Sequence, residues 1–187
     1  MARVSSPAHL SPEALAGRKD SKNIIPPIDL SEFSPAGLLA LHAQVADELR
    51  ARDITRSSNN PTGDLAEYLF CKAFGWAQSG NSKANIDAVA PDGTRYQIKG
   101  RRIIRYNNSR QLSATRDLPG SHFDLLAGVL FNEDYSVVRA ALIPHAVALA
   151  RATFVERTNS HRFLLCDDVW NAPGVSDVTA ELRAVSV

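Results

Sequence analysis

A short turn, Pro91-Asp92-Gly93, separates two segments in which polar and apolar residues alternate, and it constrains the fold more than any other feature of the chain. Proline suits the first central position of a type I turn, aspartate suits the second, and glycine readily takes the left-handed conformation that follows. The turn therefore predicts a three-residue hairpin loop with a bulge at the glycine, in which Ala90 pairs with Thr94. We expect an antiparallel β-hairpin over about 84–90 and 94–104.

The register of this hairpin decides which side chains meet. With the three-residue loop, Asp87 lies opposite Gln97, and Lys99 lies two residues further along on the same face. A two-residue turn would place Asp87 on the other face, because a shift of one residue reverses every side chain. It would also put Pro91, which has no N–H, in a paired position. The three-residue loop is preferred, and it brings together a carboxylate, an amide and an ammonium group.

The length and composition predict one globular domain. The chain has 187 residues, of which 44% are hydrophobic and 22% charged, as is usual for a protein with a sizeable core. Residues 1–33 lack periodicity, so we expect an N-terminal arm, partly disordered or loosely packed, followed by a single domain over 34–187. No apolar run reaches the roughly 20 residues that span a bilayer. The first residues lack the apolar stretch of a signal peptide, and we expect a cytoplasmic protein that does not bind membranes.

Positive charge is concentrated in one segment of a nearly neutral chain. The formal net charge is +1, yet residues 95–116 carry seven of the 21 Lys and Arg residues and no Asp or Glu. Such a segment around the hairpin is typical of a surface that binds a polyanion through phosphate contacts. The residues that we expect to contact nucleic acid are Arg95, Arg101, Arg102, Arg105 and Arg110.

Periodicity along the rest of the chain predicts an α/β fold with a mixed central sheet flanked by helices. Ser34 and Pro35 begin a helix whose apolar stripe predicts that it covers the core. Continuous apolarity in FDLLAGVLF predicts a strand covered on both faces, which pairs with SVVRAALI in a second hairpin. The expected elements are helices at about 34–52, 62–74, 144–149 and 175–184, and strands at about 84–90, 94–104, 123–131, 136–143 and 162–166.

The helix at about 62–74 carries a further candidate site residue. Leu65, Leu69 and Phe70 form its apolar face, and Gly75 ends it. Glu67 lies on a different face of the same helix. We therefore expect its carboxylate to point sideways from the core, where it can reach a site beside the sheet.

These residue types suit hydrolysis of a phosphodiester, which needs a hard cation, a nucleophilic water and positive charge near the transition state. Asp87 and the side-chain oxygen of Gln97 can supply two ligands for Mg²⁺ or Mn²⁺, and Glu67 is the candidate third ligand, directly or through water. Lys99 can orient the attacking water, accept its proton or stabilise the phosphorane-like oxygens, and the sequence does not choose among these roles. These four residues are the candidate catalytic residues.

The sequence ANIDAVAPDGTRYQIKGR at 84–101, preceded by the helix segment GDLAEYL at 63–69, resembles the PD-(D/E)xK nuclease superfamily. Its Q-x-K version is similar to Mrr-type restriction endonucleases. The resemblance covers about residues 62–166, and it implies a restriction-endonuclease-like αβββαβ core and Mg²⁺-dependent DNA cleavage. It also implies that Asp87 binds the metal, that Gln97 stands in for the usual acid, that Lys99 is the catalytic lysine and that Glu67 is the helix glutamate. Enzymes of this fold often dimerise to cut two strands, so a homodimer is a further expectation.

Three hypotheses follow for the function. The leading one is a Mg²⁺-dependent DNA endonuclease. The alternative is a catalytically inactive, nuclease-like module that binds nucleic acid or assists another protein, because glutamine at 97 makes the site less anionic than a second carboxylate would. The third is a protein-interaction domain whose basic segment meets an acidic partner.

Overall fold

The computed structural model describes residues 28–57, 59–79 and 86–187. The chain divides into two compact units, Met1–Leu39 and Ala40–Val187, and the boundary falls within the first helix. Most of the expected N-terminal arm, residues 1–27, lies outside the described residues. None of the helices in the described residues is both long enough and apolar enough to cross a membrane.

The first two helices begin and end where the sequence predicts. Helix α1 spans Pro35–Ala51, and helix α2 spans Thr62–Phe74 and ends at Gly75, which takes the left-handed conformation with φ of 66°. The expectation that α1 covers the core is wrong, since none of its residues is buried. Of its apolar stripe, Val45 is exposed and Leu49 packs partly against the core.

Among the described residues, a six-stranded sheet forms the centre of the second unit. Its third and fourth strands are parallel, and every other neighbouring pair is antiparallel, so the sheet is mixed as predicted. The predicted second hairpin is confirmed as β4 (Leu125–Phe131) and β5 (Val137–Pro144). In spatial order the strands are β1 (Ala77–Gln78), β2 (Ala88–Val89), β3 (Arg95–Arg102), β4 (Leu125–Phe131), β5 (Val137–Pro144) and β8 (Ser176–Asp177).

Both faces of the sheet are covered, as the apolar sequence of β4 predicts. Its residues Val129 and Phe131 belong to a core cluster with α2 and the last helix, α4 (Thr179–Arg183). The alternate residues Leu126 and Leu130 belong to a second cluster on the opposite face, with α3 (His145–Arg151) and the crossover segment 103–124. The fold is thus a mixed α/β architecture with helices flanking a central sheet.

The C-terminal part differs from the sequence expectation in two elements. The strand expected at 162–166 is instead β7, Ser160–Arg162, paired with β6, Thr153–Val155, in a separate two-stranded sheet. Residues 163–165 pair with residues 110–112 through an isolated antiparallel bridge between Gln111 and Leu164. Their burial alternates, with Leu164 42% exposed between two buried neighbours. The helix expected at 175–184 is shortened to α4, because residues 176–177 pair with β5 as strand β8.

Gly100 allows α2 to approach β3 closely. A methyl group added at Gly100 would lie 2.8 Å from the carbonyl oxygen of Thr62 and 3.1 Å from Cβ of Ala66. We expect Gly100→Ala to lower the free energy of unfolding by about 1–3 kcal/mol, since the backbone of α2 must move. The matched control is Gly63→Ala within α2, because a methyl group added at Gly63 has no described atom within 4 Å. This substitution should leave the free energy of unfolding unchanged or raise it by up to about 1 kcal/mol. Urea unfolding measures both, and equal stabilities would contradict this close packing.

Candidate active site

The hairpin between β2 and β3 has the register that its turn predicts. Ala88 pairs with Tyr96, and the N–H of Ala90 donates to the carbonyl of Thr94 at 2.9 Å. Gly93 has φ of 87°, and its N–H donates to the Ala90 carbonyl at 2.9 Å. The three-residue loop is therefore confirmed over the two-residue turn.

This register brings Asp87, Gln97 and Lys99 together around one carboxylate oxygen. Oδ2 of Asp87 accepts hydrogen bonds from Nε2 of Gln97 and from the backbone N–H of Ile98, the latter at 2.7 Å. Nζ of Lys99 lies 4.0 Å from the same oxygen. The Asp87 and Lys99 side chains are partly buried, so their charges interact more strongly than they would in open solvent.

Gln97 lies deeper than either charged residue, with 4% of its surface exposed. Its amide nitrogen, not its amide oxygen, faces Asp87. In this orientation Gln97 fixes the carboxylate of Asp87 by donating a hydrogen bond. Rotation of the amide about the last side-chain bond exchanges its two ends, and Oε1 is the end that can act as a metal ligand.

Glu67 approaches the same region from α2, but its carboxylate is already engaged. Oε2 accepts hydrogen bonds from Nη2 of Arg56 and from Nε2 of Gln78, the latter at 2.8 Å. Burial raises the pKa of Glu67, and the nearby charge of Asp87 raises it further, against the opposing effects of Gln78 and Arg56. The expected sideways orientation therefore places Glu67 within electrostatic reach of Asp87, with Arg56 as its ion-pair partner.

Arg56 and Gln78 are site residues that the sequence analysis missed. Arg56 belongs to the polar segment before α2, and Gln78 belongs to the two-residue strand β1 after it. Each of them is 11 residues from Glu67 in the sequence and donates a hydrogen bond to its carboxylate. This separation corresponds to no helical or strand period, so a sequence pattern gives no signal for either contact.

The raised pKa of Glu67 predicts a specific effect of pH on stability. Because folding raises this pKa, the folded state holds the proton more tightly, and the associated stability is lost as pH rises through the folded pKa. Glutamine does not ionise, so the variant Glu67→Gln does not lose stability in this way as pH rises. We therefore expect its free energy of unfolding, relative to wild type, to increase as pH rises above about 4.3, the unfolded pKa. Urea unfolding between about pH 4 and 7 measures the slope, and a constant difference would contradict the prediction.

The donor set of the site fits a hard cation. Within the described residues, no group of three or more His, Cys, Asp or Glu side chains lies close enough to hold a metal. Mg²⁺ is nevertheless commonly held by one or two carboxylates together with water and substrate phosphate. The hydrogen bonds of Asp87 and Glu67 to described residues use Oδ2 and Oε2, which leaves the second oxygen of each carboxylate for a ligand.

Cys71 stands beside Glu67 on α2 and takes no part in this chemistry. Burial and the charge of Glu67 raise the pKa of its thiol to about 11. The thiol therefore remains protonated near neutral pH, and a protonated thiol is neither a good nucleophile nor a good metal ligand.

The basic segment is neutralised more than the sequence indicates. Three of its arginines form ion pairs with acids from other parts of the chain, and Arg102 donates to the carbonyl of Glu133 at 2.8 Å and lies over the Tyr135 ring. Arg101, like Arg102, has a neutral partner, because its Nε donates to the carbonyl of Ser109 at 3.0 Å. The ion pairs are Arg95 with Asp124 at 2.8 Å, Arg105 with Glu133 at 3.8 Å and Arg110 with Asp167 at 2.8 Å.

No family model and no curated protein matches the chain. The assignment of a function therefore depends on the chemistry of the hairpin and of the residues around it.

Proposed function

We propose that this protein is a Mg²⁺-dependent DNA endonuclease of the PD-(D/E)xK type, with Mn²⁺ as an alternative ion. The observation that carries the proposal is the meeting of Gln97 and Lys99 at one carboxylate oxygen of Asp87. Glu67 adds a second carboxylate from α2, close enough to Asp87 for the charge of Asp87 to raise the pKa of Glu67. Paired carboxylates beside a lysine are the groups that metal-assisted phosphodiester hydrolysis needs.

Each residue has a role that follows from its position. Asp87 and Glu67 would hold Mg²⁺, with the amide oxygen of Gln97 as a third donor. When bound, Mg²⁺ polarises the scissile phosphate and lowers the pKa of a bound water. Lys99, held 4.0 Å from Asp87, places a positive charge where it can orient the water or stabilise the phosphorane-like oxygens.

The arrangement of elements supports a restriction-endonuclease-like core. Helix α2 precedes the β2–β3 hairpin, and β4 then lies parallel to β3 in the same sheet. The hairpin carries the proposed lysine and aspartate, and the helix carries the glutamate. This order of helix, hairpin and following strand is what the resemblance to the superfamily implies for these residues.

Arg101 should contribute more to DNA binding than Arg110. The charge of Arg110 is balanced by Asp167, whereas Arg101 is bound to a backbone carbonyl. We expect Arg101→Ala to weaken DNA binding by about three- to tenfold and to reduce the slope of log affinity against log salt concentration by about one. Arg110→Ala should change the affinity by less than about twofold. Fluorescence anisotropy at several salt concentrations measures both. A larger effect at Arg110 would contradict this assignment.

The direct test is incubation of the purified protein with supercoiled, linear and single-stranded DNA in Mg²⁺, Mn²⁺ or EDTA. Cleavage in either metal and none in EDTA is the expected result. The preferred form of DNA then indicates the substrate. Absence of cleavage on every form, with DNA binding retained, would contradict the enzymatic proposal.

A second candidate is a nucleic-acid-binding module with the same fold and no catalysis. Two observations favour it: Arg56 neutralises Glu67, and Gln97 directs its amide nitrogen rather than its oxygen towards Asp87. Such a module would bind DNA with a steep dependence on salt and would show no cleavage in any metal. The incubation experiment separates it from the nuclease.

A further inference from the structure

The guanidinium group of Arg56 connects the two sides of the proposed site. Nη2 forms an ion pair with Oε2 of Glu67, and Nη1 donates to the carbonyl of Ser79 at 3.4 Å. The N–H of Ser79 in turn donates to the carbonyl of Asp87 at 2.9 Å. Arg56 therefore lies between the helix that carries one carboxylate and the strand end that carries the other.

Arg56 also balances the charge of the site. The carboxylates of Glu67 and Asp87 face two cations, Arg56 and Lys99, so these four side chains together carry no net charge. A divalent cation binds more weakly to a neutral cluster than to an anionic one. The ion pair with Arg56 thus opposes metal binding at Glu67.

The backbone of Arg56 is anchored separately from its side chain. Oδ2 of Asp64 accepts hydrogen bonds from the N–H of Arg56 at 2.9 Å and from the N–H and hydroxyl of Ser57, both at 3.0 Å. The Arg56 side chain is 37% exposed. Its guanidinium can consequently leave Glu67 by rotation of side-chain bonds while the loop stays in place.

We propose that Arg56 is a phosphate-binding residue of this site, which pairs with Glu67 in the free protein and binds a phosphate of the nucleic acid when a divalent cation binds Glu67. The inference rests on the proposed function. A planar guanidinium suits two oxygens of a phosphate as well as it suits a carboxylate. The exchange keeps Arg56 paired in both states.

A thermodynamic consequence follows from this exchange. Metal binding releases Arg56 for the phosphate, and phosphate binding removes Arg56 from the metal-binding carboxylate. Each ligand therefore increases the affinity for the other, and the two effects are equal in size. Loss of the Arg56 charge should change the two affinities in opposite directions, which a purely structural role would not do.

The test compares Arg56→Gln with Arg52→Gln, a control four residues away that removes an exposed ion pair with Glu48. Mn²⁺ binding is measured by calorimetry without DNA. DNA binding in Mn²⁺ is measured by anisotropy with Lys99→Ala added to every variant, so that the DNA remains intact. We expect Arg56→Gln to bind Mn²⁺ about tenfold more tightly and DNA about tenfold more weakly. Arg52→Gln should change neither by more than about twofold.

Several outcomes would overturn the proposal. Unchanged or weaker Mn²⁺ binding by Arg56→Gln would do so, as would unchanged DNA binding. If Arg56→Gln does not fold, Arg56→Lys replaces it in the test. Lysine keeps the positive charge, so the affinity for Mn²⁺ should equal that of wild type. Lysine lacks the planar guanidinium group, so the affinity for DNA should fall about threefold. Equal DNA affinity in Arg56→Lys and wild type would then contradict the role.

The variant Glu67→Gln separates this inference from the proposed function. If Glu67→Gln weakens Mn²⁺ binding while Arg56→Gln has no effect, the metal site stands and the role of Arg56 is wrong. If Glu67→Gln and Asp87→Asn both bind Mn²⁺ as wild type does, the proposed metal site is wrong, and the role of Arg56 fails with it.

Discussion

Replacing Lys99 with alanine should reduce Mg²⁺-dependent DNA cleavage by about 10²–10⁴-fold, the range for loss of a group that stabilises or transfers charge in the transition state. Nζ of Lys99 lies 4.0 Å from Oδ2 of Asp87. The Lys99 side chain is partly buried, so solvent compensates poorly for the positive charge that the substitution removes.

Initial rates of nicking of a supercoiled plasmid measure this effect, with circular dichroism to show that the variant folds. Lys72→Ala is the matched control, because Lys72 lies on the exposed side of α2 and binds only the Tyr68 hydroxyl among described hydrogen-bond partners. The control should cleave at close to the wild-type rate. Full activity in Lys99→Ala would show that the hairpin is not the active site.

The largest effect on stability should come from Phe70→Ala, at about 3–5 kcal/mol of unfolding free energy. Phe70 is completely buried on α2. Its ring stacks on Trp76 with 5.8 Å between ring centroids and on Phe74 with 6.4 Å. Removal of the ring leaves a cavity between α2 and the sheet and also eliminates these aromatic contacts.

Chemical denaturation measures the loss, and Phe154→Ala is the control of the same chemistry. Phe154 is 53% exposed on β6, so truncation removes little buried surface and should cost less than about 1 kcal/mol. Similar losses for the two variants would contradict the packing described for α2. A stable Phe70→Ala protein would mean that the cluster around Trp76 repacks to fill the space.

Local patterns predicted the centre of the site well. The register of the hairpin depends on three loop residues and on the alternation of side chains, and both are properties of a few adjacent positions. The buried face of α2 likewise follows from its spacing of three and four residues. Asp87, Gln97 and Lys99 therefore meet as the sequence predicts, and Glu67 points away from the apolar face.

Contacts between distant segments could not be predicted in this way. Asp124, which balances Arg95, is 29 residues away, and its position depends on the whole crossover segment between β3 and β4. The bounds of the strand expected at 162–166 likewise depend on distant partners. Alternation predicts extended backbone there, but Arg162 pairs with Thr153 in β6 and Leu164 pairs with Gln111 in an isolated bridge, and a local pattern identifies neither partner.

The sheet ends at both edges in strands of two described residues, β1 and β8. Such short edges offer few unpaired backbone groups for another strand, and proteins use this device to resist association by sheet extension. A second copy of this chain that joins it to cut the opposite DNA strand would therefore have to bind elsewhere than at the edges of this sheet. Mutations at the sheet edges should then leave the oligomeric state unchanged, and they offer a way to attach probes without disturbing assembly.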